Sequence, residues 1–253
     1  MNPTLIFLHG LLGTKADWKF FKTTPRFSAV ALDLPFHGEN KHIAINDFAD
    51  ANRFLSEQIR AVALNKPYIL MGYSLGGRLA LSFALDETLP KGDLRGVILE
   101  GANFGLNDDA EKAARWQNDC AWASRFENEP PEIVLNDWYQ QAVFAHLSEA
   151  QRATLIQTRR EHCGANIGAM LRATSLAKQP NFLPRLIAQQ AQGNFPEIYY
   201  LVGERDSKFR ALAQTLDLPV TIIPNAGHNA HLENPEFFAK NLKNLVFKIA
   251  QGQ

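Results

Sequence analysis

Short apolar runs alternate with longer stretches of helical spacing along most of the chain. TLIFLHG (4–10), FSAVALDLP (27–35), PYILMG (67–72), LRGVILEG (94–101), EIYYLVGERD (197–206) and LPVTIIPNAGH (218–228) each carry an apolar core ended by glycine, proline or a charged turn. Such runs suit strands buried on both faces. INDFADANRFLSEQIRAVAL (45–64) repeats apolar residues every three or four positions, with Asn46 or Asp47 as its cap. GGRLALSFALDE follows the third run, and NPEFFAKNLKNLVFKIA (234–250) closes the chain with another amphipathic pattern. The alternation predicts an α/β fold, a mostly parallel sheet covered by helices on both sides.

One stretch breaks the pattern. Residues 104–190 hold no convincing strand; they are polar, helical in period, and contain Trp116, Trp122, Trp138, Tyr139 and several arginines. Their placement between two sheet strands predicts a helical lid over the carboxyl edge of the sheet. The expected organisation is a core in two parts, 1–103 and 191–253, with the lid at 104–190.

The chain has 253 residues, enough to bury a large core without disulfides or metal. Lys+Arg and Asp+Glu both number 26, so no bulk charge calls for nucleic acid or an acidic membrane surface. No apolar run nears the roughly 20 residues of a membrane span. Cys120 and Cys163 are far apart and read as free thiols, which fits a reducing compartment. The N-terminus lacks the pattern of a signal peptide. These features predict a cytoplasmic protein; they leave oligomeric state open.

The chemistry centres on GYSLGGR (72–78). In G-x-S-x-G the serine sits on a tight strand-to-helix turn, where bulky neighbours would clash. Asp206 then ends the fifth apolar run and His228 follows the sixth, giving the chain order Ser74, Asp206, His228. All three at the tips of core strands suit a nucleophile or base, its acid–base partner, and the carboxylate that orients it. His231 is the rival histidine, with neighbours that suit a helix start or the surface. FLHGLLG (7–13) places Gly10 after the first strand, so the Leu11 and Leu75 backbone amides are the expected oxyanion donors. In DLPFHG, Phe36 stands where glycine is common, and His37 reads as structural. Arg78, four residues beyond Ser74, is open between a surface arginine and a carboxylate ligand on the site rim.

These motifs resemble the α/β-hydrolase superfamily, which implies the α/β-hydrolase fold. GYSLGGRLAL, EGANFGL, ARWQNDCAWASRF, DWYQQAVFAHL, TRREHCGANIGAMLRATSLAKQP, YYLVGERDSKFRALA and PNAGHNAHLENP further resemble the 2-succinyl-6-hydroxy-2,4-cyclohexadiene-1-carboxylate synthase family of menaquinone biosynthesis. The likeness extends through the lid, where members of this superfamily ordinarily diverge. It implies a lyase that eliminates pyruvate from a substrate with three carboxylates, with Ser74, activated by His228 and Asp206, removing a proton beside a ketone. It also implies carboxylate binding by Arg78, Arg115 and Arg159, a pocket lined by Tyr73, Trp138 and Tyr139, and no metal or organic cofactor. Spacing leaves other roles open: Arg115 can pair with Asp119, and Arg159 can share a solvated face with Arg160. Competing readings are a serine esterase or thioesterase for small carboxylate-bearing substrates, and a non-catalytic receptor for a small acid.

Overall fold

The computed structural model describes residues 2–162, 164–192, 196–215 and 218–252. Cys163 lies outside the described residues; Cys120 is a free, half-buried thiol. Six strands form one sheet: β1 (Thr4–Leu8), β2 (Ser28–Leu32), β3 (Tyr68–Tyr73), β4 (Leu94–Glu100), β5 (Glu197–Gly203) and β6 (Val220–Ile223). Their order is β2-β1-β3-β4-β5-β6, and every neighbouring pair is parallel. The chain runs outward from β1 to β2, then returns across β1 to β3. The crevice above such a reversal, at the carboxyl ends of the strands, is where open α/β sheets bind ligands.

The strands' period of two sorts the core into two layers. Ile6, Leu8, Leu70, Val97, Leu99, Tyr200 and Val202 face α1 (Phe48–Ala63) and α2 (Leu75–Leu85). Leu5, Phe7, Ile69, Met71, Ile98, Tyr199 and Leu201 face Trp18, Phe21 and the closing helix. Asp47, rather than Asn46, caps α1, its Oδ1 accepting the Asp50 amide at 2.9 Å.

Between β4 and β5 the chain passes through α3 (Asp109–Asn128), α4 (Pro131–Trp138), α5 (Glu149–Arg159), α6 (Ala165–Ala173) and α7 (Leu183–Gln192). Phe126, Val134, Leu135, Tyr139, Phe144, Ile167 and Leu171 build a third apolar cluster there, which also takes in Leu11 and Leu12 from the loop after β1. Phe182 and Leu186 instead join the sheet layer shared with α1 and α2, so α7 packs as a flank of the sheet.

After β5 come α8 (Ser207–Ala213), then, beyond β6, α9 (Ala230–Glu233) and α10 (Pro235–Gln251). Phe238, Leu242, Val246 and Ile249 bury one face of α10. Each such side chain contributes about 1.5–3 kcal/mol relative to exposure, so packing rather than intrinsic propensity holds this helix. Among the described residues no helix is long and apolar enough to cross a membrane.

Candidate active site

Ser74 lies between the last residue of β3 and the first of α2, with φ 48° and ψ −107°. That backbone is strained for a residue bearing a Cβ, and its surroundings hold it in place. The Ser74 amide donates to the Glu100 carbonyl at 2.7 Å, and its own carbonyl accepts the Arg78 amide at 3.1 Å. The flanking glycines are a steric necessity: a Cβ on Gly72 would lie 2.5 Å from the Gly76 carbonyl oxygen, and one on Gly76 2.5 Å from the Leu8 oxygen.

The three residues picked out by chain order meet in space. His228 Nε2 stands 3.3 Å from Ser74 Oγ, and His228 Nδ1 donates to Asp206 Oδ2 at 2.8 Å. Asp206 also caps α8, its Oδ1 accepting the Phe209 amide at 3.2 Å. The His228 ring packs against Phe209 at 4.8 Å and Phe144 at 6.0 Å between centroids, and both histidine and aspartate are buried. With its Nδ1 proton held by Asp206, the imidazole presents a free Nε2 lone pair to the serine hydroxyl. A relay of this kind can make Ser74 either a nucleophile or a base.

Leu11 and Leu75 both line the cleft at Ser74. Two buried histidines hold the loop that carries Leu11. His9 Nδ1 donates to the Gly10 carbonyl at 2.7 Å while its Nε2 accepts the Leu34 amide at 3.0 Å. His37 Nδ1 donates to the Pro35 carbonyl at 2.8 Å, and its Nε2 accepts the amide of Leu12, which sits at φ 66°. Since carbonyls only accept, both rings must be neutral with the proton on Nδ1. Burial, reinforced by His9, pushes the His37 pKa down to about 3, and burial lowers His9 as well. Gly13 donates to the Gly10 carbonyl at 3.0 Å, and the Leu11 amide has no hydrogen-bond partner among the described residues. Leu75 is the first residue of α2, where helical geometry supplies no carbonyl for its amide. Phe36 has φ 63°, which explains why glycine suits that position.

The cleft walls are cationic. Arg78, Arg115 and Lys208 line them together with Asn103, Trp138 and Thr174, and among the described residues no aspartate or glutamate does so. Arg78 donates to the Thr174 carbonyl at 2.9 Å and Gln179 Oε1 at 3.2 Å, both neutral acceptors. Burial, with Arg115 nearby, lowers its pKa to about 9, so it still carries its charge at neutral pH. Arg115 gives Nε to Asp119 at 2.8 Å, and its terminal nitrogens have no partner among the described residues. The i,i+4 pair and an anion-binding role are therefore compatible. Lys208 was not singled out by its sequence, although it stands two residues after Asp206.

Three residues expected in this cleft do not line it. Arg159 makes two hydrogen bonds to Asp17, at 2.7 and 2.8 Å, and both side chains are buried. Burial opposes charge on Asp17, but Arg159 outweighs it and holds the carboxyl below its usual range. Arg159 borders a separate cavity with Leu155, His231 and Glu233. Tyr73 follows strand alternation onto the α10 face, where it donates to Asn229 Oδ1. Tyr139 packs on Phe144 at 5.0 Å within the third cluster and is hydrogen-bonded to Arg159. His231, the rival histidine, begins α9 as its neighbours suggest but is buried, its Nδ1 2.9 Å from Glu100 Oε1. Among the described residues no group of His, Cys, Asp and Glu could hold a metal ion.

Residues 5–241 match the alpha/beta hydrolase family. A relative from Klebsiella pneumoniae, named 2-succinyl-6-hydroxy-2,4-cyclohexadiene-1-carboxylate synthase, is 47% identical over 92% of this chain and 89% of its own. One of the same name from Citrobacter koseri is 45% identical over 97% and 94%. A Haemophilus influenzae relative reaches 50% identity over 98% of both chains. The structure of MenH from Staphylococcus aureus superposes with a TM-score of 0.87 at 25% identity, covering 99% of this chain and 95% of that one. A thermophilic esterase from Thermogutta terrifontis, 20% identical with a TM-score of 0.79 over 98% of this chain and 90% of its own, shares the fold. The chain belongs to the alpha/beta hydrolase family and, within it, to the family of 2-succinyl-6-hydroxy-2,4-cyclohexadiene-1-carboxylate synthases.

Proposed function

We propose that this chain is a lyase of menaquinone biosynthesis. It eliminates pyruvate from 2-succinyl-5-enolpyruvyl-6-hydroxy-3-cyclohexene-1-carboxylate to give 2-succinyl-6-hydroxy-2,4-cyclohexadiene-1-carboxylate. The observation that carries this reading is the pairing of the Ser74 relay with a half-buried Arg78 one helical turn away that lines the same cleft and has only neutral hydrogen-bond acceptors. A partly desolvated cation without a carboxylate partner is well placed to take up an anion that enters the cleft. Near-full-length identity to relatives bearing the synthase name, helical segment included, supports the same substrate class.

In this mechanism His228 Nε2 draws the Ser74 proton, and Ser74 Oγ takes the proton from ring carbon 2, beside the succinyl ketone. Negative charge moves onto the ketone oxygen, where the Leu11 and Leu75 amides stabilise it. On collapse, the bond between carbons 2 and 3 becomes double and the old double bond shifts to carbons 4 and 5. The carbon 5–oxygen bond breaks, and its electron pair leaves with the enolpyruvyl oxygen. The proton held by the relay balances that charge, and the enol becomes pyruvate. No water is consumed. Asp206 keeps the imidazole in its working tautomer, while Arg78 and Arg115 hold carboxylates.

Pyruvate release from the enolpyruvyl acid, generated in situ, tests this, with a simple ester and an acyl-CoA run in parallel. Rapid release, lost in Ser74→Ala, alongside feeble ester cleavage supports the lyase. Fast ester or thioester cleavage without pyruvate overturns it and favours covalent serine hydrolysis.

A further inference from the structure

Three negative charges enter this cleft, and the expected third arginine is committed elsewhere. Arg159 is neutralised by Asp17 and borders a different cavity. The cleft itself supplies a third cation: Lys208 lines it, is exposed, and forms no ion pair with any described residue. Its ammonium lies 5.7 Å from the ring of Phe209, the residue that packs against His228.

The three cations are not equivalent. Arg78 and Arg115 rise from α2 and α3, with Arg78 among Thr174 and Gln179 and Arg115 anchored by buried Asp119. Lys208 rises from the first turn of α8 and is exposed where it lines the cleft. One part of the substrate leaves as a separate molecule and the rest is retained until the ring product departs. The leaving group's carboxylate moves away from the ring as the carbon–oxygen bond breaks, which suits a solvated, flexible ammonium, and fixed guanidinium groups suit the carboxylates borne by the ring.

We propose that Lys208 is the subsite for the carboxylate of the departing enolpyruvyl group. This rests on the lyase reading above. A charge there does two things: it orients the leaving group, and it offsets the charge that develops as the carbon–oxygen bond breaks. Arg78 and Arg115 are left for the ring and succinyl carboxylates.

The test compares two substrates, the enolpyruvyl acid and its analogue methyl-esterified at the enolpyruvyl carboxylate alone. Lys208→Gln should lower kcat/KM for the acid about ten- to a hundredfold. The same substitution should leave turnover of the monoester within about threefold of wild type, and Lys208→Arg should restore most of the activity on the acid. Unchanged kcat/KM for the acid in Lys208→Gln overturns the assignment, as does an equal loss on both substrates. Wild-type enzyme that releases no pyruvate from the acid removes the parent reading and this one with it. That failure is distinct, because it appears before any substitution is made.

Discussion

Arg159 and Asp17 join α5 to the segment after the first strand through two parallel hydrogen bonds, 142 residues apart in sequence. Removing one member of a buried pair strands the other charge, at a cost of about 3–5 kcal/mol. Asp17→Asn should therefore lower stability by about that amount, read from urea unfolding. Asp17→Leu combined with Arg159→Met should recover much of it. Arg159→Lys that leaves stability intact but raises KM would instead return Arg159 to the substrate.

Arg78 should behave in the opposite way. It is a half-buried cation without an acidic hydrogen-bond partner, so Arg78→Met is expected to leave the melting temperature unchanged or raise it. The same variant should raise KM for the enolpyruvyl acid at least about tenfold, as loss of a charge-assisted bond predicts. A fall in stability without a change in KM would make Arg78 a structural residue.

Ser74→Ala and His228→Ala should each reduce kcat by about a thousandfold or more, with unfolding midpoints close to wild type. Asp206→Asn is more informative, because an asparagine oxygen can still cap α8. Its expected signature is an intact fold with kcat lowered through the wrong imidazole tautomer, measured by circular dichroism and pyruvate release.

The neutral rings of His9 and His37 predict a pH dependence of stability. Both have folded pKa values below the ordinary 6.5, His37 at about 3, so the unfolded chain binds more protons than the folded one below that pH. Their contribution is complete above pH 6.5 and is lost as pH falls, that of His37 down to about 3 at a limiting slope of about 1.4 kcal/mol per pH unit, with His9 adding in the same direction. Urea midpoints at pH 7 and pH 5 should show the fall, and His37→Asn should make it shallower. The same variant should lower kcat more than it changes KM, since His37 fixes the Leu12 amide beside Leu11, the proposed oxyanion donor.

Much of this was legible in the sequence because it is local. Apolar runs and glycines mark the strands and the serine turn, and chain order alone links Ser74, Asp206 and His228. The sixth strand proved shorter than its apolar run, four residues, because Pro224 to Gly227 turn the chain toward His228. What escaped depends on distance in space. No spacing rule couples Asp17 to Arg159, and the family likeness that put Arg159 in the pocket carries no information about its partner. The family likeness also implied Tyr73 in the pocket lining, yet strand alternation sends it to the other face. Lys208 lay unremarked within GERDSKF because a lysine in a first helical turn is ordinary until the cleft above it is seen.

The loop after the first strand belongs to two bodies at once. Its histidine is fastened to the sheet side through the Leu34 amide, while Leu11 and Leu12 are packed into the apolar cluster of the helical segment. The Leu11 amide, the proposed oxyanion donor, is thus held by the same residues that seat the helices over the cleft. Displacing those helices would withdraw apolar support from the donor and open the serine to water together. The arrangement is an interlock: in the proposed reaction, strong stabilisation of the enolate coincides with a covered cleft, which guards a reactive intermediate against premature protonation.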